Sequence, residues 1–84
     1  MDMQSQINRI SSREDLVRFI DEMRSTYKRN GGGWNNKDLP SYLEAMSAWV
    51  DDMDGYFENI NETLPDEPTW KMFAQILAAS IVYE

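Results

Sequence analysis

The run Leu39-Pro40-Ser41-Tyr42-Leu43-Glu44-Ala45-Met46-Ser47-Ala48-Trp49-Val50-Asp51-Asp52-Met53 decides the fold. Leu39, Tyr42, Leu43, Met46, Trp49, Val50 and Met53 recur at three- and four-residue intervals, the repeat of a helix stripe and not the alternation of a strand. Asp38 can cap this helix with a side-chain oxygen, and Pro40 suits a first turn, where a missing N–H has no partner to lose. Ser41-x-x-Glu44 has the form of a capping box. Gly55 is expected to end or bend the helix, leaving residues 56–62 as an irregular turn anchored by Tyr56, Phe57 and Ile60.

Upstream, Asn30-Gly31-Gly32-Gly33 breaks any helix and makes a flexible joint within one domain. Before it, Leu16, Phe19, Ile20, Met23 and Tyr27 mark a second helix running to about Arg29. Ser11-x-x-Glu14 supplies its capping box. A short helix over residues 3–10 precedes it, with Met3, Ile7 and Ile10 on one side. Downstream, a helix is expected to start near Glu67-Pro68. It carries Trp70, Met72, Phe73, Ala74, Ile76, Leu77, Ala78, Ala79, Ile81, Val82 and Tyr83, apolar on nearly every side, which predicts a helix packed on several faces. The expectation is an all-α compact bundle of three main helices plus a short N-terminal one, a single domain over residues 1–84, with the last helix in the middle.

An 84-residue chain with 42% hydrophobic residues can bury a core, though a thin one. It has no cysteine and no histidine, which removes disulfides, the usual zinc sites and the Ser-His and Cys-His nucleophile systems. No apolar run reaches the roughly 20 residues of a membrane span. The first residues lack the basic and apolar regions of a signal peptide, so a cytoplasmic location is expected. Net charge is −7 and unevenly spread. Residues 1–30 are nearly balanced, whereas Asp38, Glu44, Asp51, Asp52, Asp54, Glu58, Glu62, Asp66 and Glu67 fall in a stretch without one basic residue. Such a surface repels phosphate backbones and attracts basic proteins, although plain solubility explains many acidic domains.

The chemistry-bearing motifs fail on inspection. Asp51-Asp52-Met53-Asp54-Gly55 suggests a calcium loop, but alignment on Gly55 puts Val50 and Asn61 at its first and last ligand positions. The glycine run lacks the Gly-Lys-Ser/Thr of a phosphate loop. Asn61-Glu62-Thr63 is a formal glycosylation sequon with no secretory signal to give it meaning. A non-enzyme without a cofactor or metal is expected. Among the tryptophans, Trp49 and Trp70 sit on apolar stripes and are assigned to the core. Trp34 either pins the glycine loop or stands out as an anchor for a partner, and Tyr56 is equally two-sided. The partner-binding candidates are Asp51, Asp52, Asp54, Tyr56, Glu58, Glu62, Asp66, Glu67 and Trp34. Rigid rings beside carboxylates make good interface material.

Trp34, Asn36, Leu39, Tyr42-Leu43-Glu44-Ala45, Ala48-Trp49, Asp51, Pro68, Trp70, Phe73-Ala74, Leu77, Ala79 and Tyr83-Glu84 give the chain from Trp34 to Glu84 its likeness to other sequences. Over that span it resembles a family of small uncharacterised acidic bacterial proteins, which implies a bacterial source and no particular activity. In size, acidity and lack of catalytic residues it is also similar in profile to toxin-immunity proteins of contact-dependent inhibition systems. That resemblance implies an immunity protein that covers the substrate groove of a toxin, a basic nuclease domain, with no nucleic-acid or membrane partner. The alternative is a non-catalytic scaffold or regulatory binding protein with no toxin partner.

Overall fold

A computed structural model describes residues 3–29 and 33–83. Asn30, Gly31 and Gly32, the first three residues of the expected joint, lie outside the described residues. Four helices follow one another: α1, Met3–Asn8; α2, Arg13–Arg29; α3, Leu39–Asn59; α4, Trp70–Ala79. The fold is an all-α bundle, with no strand among the described residues. The three longer helices and the short first one stand where the apolar periodicities place them.

Their ends differ from expectation in ways the hydrogen bonds explain. At α2, Ser12 is the capping residue: its Oγ accepts the Asp15 N–H at 3.1 Å, while Asp15 Oδ2 reaches back to the Ser11 N–H at 3.1 Å. The cap is thus Ser12, one residue later than expected, and Asp15 in place of Glu14 makes the return bond, to the residue before the cap. At α3, Asp38 Oδ1 accepts the Ser41 N–H at 2.8 Å, so Ser41 lies inside the first turn and does not cap it. Gly55 neither ends nor bends off this helix, which absorbs residues 56–59 of the expected irregular turn. The stop is Asn61, with φ of 59°. Its N–H donates to Glu58 O and the Glu62 N–H to Phe57 O, the paired bonds of a left-handed C-terminal cap. At α4, Thr69 Oγ1 accepts the Met72 N–H at 3.0 Å, so the helix begins two to three residues later than Glu67-Pro68.

Helices α1, α2 and α3 each pack on α4, which occupies the middle of the bundle. Ile7, Ile10, Phe19, Met23, Ala74 and Ile81 form the central apolar cluster. Ala74 is wholly buried, and its small side chain lets neighbouring helices approach. Trp49 is buried as expected, at 6% exposure. Trp70 and Phe73 correct the expectation. They are 42% and 44% exposed, because the buried face at the start of α4 is taken by Met72, Ala74 and Gln75. Among the described residues, no helix is long and apolar enough to cross a membrane.

Candidate functional site: the acidic face of α3

Residues 51, 54 and 58 of α3 are separated by three and four positions, which stacks their side chains along one side of the helix. Asp51, Asp54 and Glu58 are all exposed there, with Glu44 about two turns before Asp51. Leu43 and Val50, 50% and 40% exposed, run along the edge of the same face. The opposite side of α3 carries the buried Ala45 and Trp49, which hold the helix against the bundle. The charged face is therefore presented by a rigid element, and a strip of uncovered aliphatic surface accompanies it.

The other candidates fall into separate places. Asp52 is exposed on an adjoining side of α3 and accepts a hydrogen bond from the Tyr83 hydroxyl. That bond, with the nearby negative charge, raises the Tyr83 pKa above its ordinary value. Glu62, Asp66 and Glu67 are exposed in the segment joining α3 to α4, outside the helical array. Tyr56 is half-buried, its ring 5.2 Å from that of Trp49 and 5.3 Å from that of Phe57, so it supports the helix more than it offers an anchor. No three carboxylates gather as a metal site among the described residues.

Trp34 is pinned, which decides between its two readings. It packs on the central cluster, with Tyr27 edge-on at 5.1 Å and Tyr42 stacked at 5.8 Å. Its Nε1 is buried without an acceptor. Counting about 1.5 Å per residue along α3, the ring at Tyr42 is roughly 24 Å from Glu58, so Trp34 does not share the acidic face.

What holds Trp34 is a clamp that sequence reasoning missed. After Ala79 the chain winds through a tight turn, leaving carbonyls that need donors. The Asn35 and Asn36 N–H groups both donate to Ile81 O, at 3.1 and 3.0 Å. Asn36 Nδ2 donates to Ser80 O at 3.0 Å and Tyr83 O at 2.9 Å. The Tyr42 hydroxyl adds a bond to Leu77 O at 2.9 Å, and burial of the ring pushes its pKa up to about 12. An asparagine is suited to this post because its amide offers two donors. The only sequence signal was its presence among the residues of the family likeness.

Residues 12–84 match the model of a family of unknown function, DUF7660. The match takes in α2 as well as the span from Trp34 onward. No curated protein and no solved structure matches the chain.

Proposed function

The chain belongs to the DUF7660 family, and we propose, from its surface alone, that it is a non-catalytic binding protein that neutralises a basic toxin domain. The observation that carries this reading is the exposed row Asp51, Asp54 and Glu58 on α3, set in a stretch from residue 38 to 67 with no basic side chain. Like charges three and four positions apart each cost a helix about 0.2–0.5 kcal/mol, so the row works against the stability of α3. A cationic groove on a partner would relieve that repulsion. The exposed Leu43 and Val50 beside the row supply apolar area at the edge of such a contact. In this reading the protein acts in the cytoplasm, where a nuclease would meet its substrate, and the carboxylates stand in for backbone phosphates. Attraction of this kind speeds association and fades with salt.

The test begins with the protein encoded directly upstream of this gene, produced as its C-terminal domain. Binding by calorimetry, together with protection of cells expressing that domain, is the expected result. Changing Asp51, Asp52, Asp54 and Glu58 together to Asn or Gln should leave the helical spectrum intact and weaken binding by about a hundredfold or more. Neutralising Asp21 and Glu22 on α2 should change it little. If the quadruple variant binds with wild-type affinity at both low and physiological salt, the acidic row is a solubility feature and the reading fails.

A further inference from the structure

The strongest uncommitted feature lies away from the acidic face, between the second half of α2 and the start of α3. A groove of about 530 Å³ opens there, walled by Ile20, Met23, Tyr27, Trp34, Leu39 and Leu77. Leu39 is 67% exposed at its lip, the most uncovered of the large apolar side chains. Hydrogen bonds tie its walls together. The Tyr27 hydroxyl donates to Lys37 O at 2.8 Å across one end, and the Asn35–Asn36 clamp holds Trp34 in the wall.

The charge at this groove is opposite to that of the rest of the molecule. Arg24, Lys28 and Lys37 stand at its rim, and none of them makes an ion pair among the described residues. The single acid there, Asp38, has Oδ1 engaged by the Ser41 N–H and belongs to the α3 cap. Three free cations around an apolar wall, in a chain of net charge −7, are a local exception. An apolar body with an anionic head satisfies both parts of the site. The volume falls within the roughly 300–1,000 Å³ of small-ligand sites.

We propose that this groove binds a small amphiphilic anion, its apolar chain against Trp34, Leu39 and Leu77 and its head held by Arg24, Lys28 and Lys37. The site is separate from the acidic row of Asp51, Asp54 and Glu58, none of which lines it. Decanoate tests it, with decyltrimethylammonium as the probe of equal tail and opposite head, both kept below their micellar concentrations. The readout is the indole N–H signal of each tryptophan in the nitrogen-15 NMR spectrum of the full chain. Decanoate should give a saturable shift at Trp34 and leave Trp70, an exposed ring elsewhere on the bundle, close to its free position. The ammonium probe should not saturate the Trp34 signal. Changing Arg24, Lys28 and Lys37 together to Gln leaves every core residue in place and should weaken decanoate binding roughly tenfold. Equal response to the two probes, shifts of Trp70 in step with Trp34, no saturable shift, or unchanged affinity in the triple variant would each overturn the proposal.

Discussion

Asn61 and Gly55 exchange the roles their residue types suggest. Glycine is the usual helix stop because it enters the left-handed region without a Cβ clash, yet here Asn61 takes that conformation and Gly55 stays helical. A glycine in a helix interior gives up stability because its unfolded chain has more freedom to lose. A Cβ added at Gly55 meets nothing within 4 Å. Gly55→Ala should therefore stabilise the fold by about 0.5–1 kcal/mol, read as a higher denaturant midpoint with an unchanged slope. A midpoint that falls would show that the open space at Gly55 is needed for the helix itself. Asn36 is the other decisive residue, because one amide serves two carbonyls. Asn36→Ala leaves both without that donor and should cost about 1–3 kcal/mol, with Trp34 fluorescence moving toward the emission of a solvated indole. Asn36→Asp keeps the shape and loses the donors, so it should be no better tolerated.

At the scale of the helices, existence and order were legible and borders were not. The stripe from Leu39 to Met53 has enough repeats for its period to be unambiguous, and α3 stands where it says. Its end was misjudged because a lone glycine looks like a stop, whereas the real cap depends on bonds to residues before and after Asn61. The central place of α4 was also legible from its apolar surface. That reading overshot at Trp70 and Phe73, because Met72, Ala74 and Gln75 take the buried face at the start of α4 and leave both rings partly in water. The two tryptophans should separate cleanly in thermal melts. Trp49→Ala opens a cavity under α3 and should cost about 3–5 kcal/mol. Trp70→Ala forfeits only part of a burial term and should cost about 1 kcal/mol. Equal losses would mean that the exposed side of Trp70 is covered in solution. Of the candidate site, the carboxylates were legible as a stretch without basic residues, but the row of Asp51, Asp54 and Glu58 was not, because it exists only where α3 continues through Gly55. The asparagine clamp joins residues more than forty positions apart, and no local pattern announces such a pairing.

For the whole molecule, titration links these parts. The Tyr42 hydroxyl titrates near 10 in an unfolded chain and at about 12 in the folded one. The folded state keeps its proton longer, so the stability that depends on it is complete below pH 10 and drains away between pH 10 and 12. Tyr83 shifts in the same direction through its bond to Asp52. Asp38 and Asp15 behave oppositely: the Ser41 and Ser11 N–H groups hold their carboxyls below the ordinary range. Their contribution is present above the usual carboxylate pKa and is lost as pH falls through the depressed one. Denaturant midpoints measured from pH 8 to 12 should stay level to about 10 and then drop, and Tyr42→Phe should flatten the drop. A profile identical in the two proteins would place the alkaline transition elsewhere.

The middle position of α4 also bears on how the protein comes into being. Synthesis delivers α1, α2 and α3 to the exterior of the ribosome before the helix on which all three pack. Domains ordinarily fold as units once their parts are available, and here the unifying part arrives last. A nascent chain carrying only the first three helices lacks the α4 side of the core around Phe19 and Met23, and the carbonyls that receive Asn36 do not yet exist. Its apolar stripes must be shielded by chaperones or by transient contacts until α4 emerges. The bundle is then completed in one late step, so a chain interrupted before Trp70 should be cleared by proteases as an unfolded polypeptide.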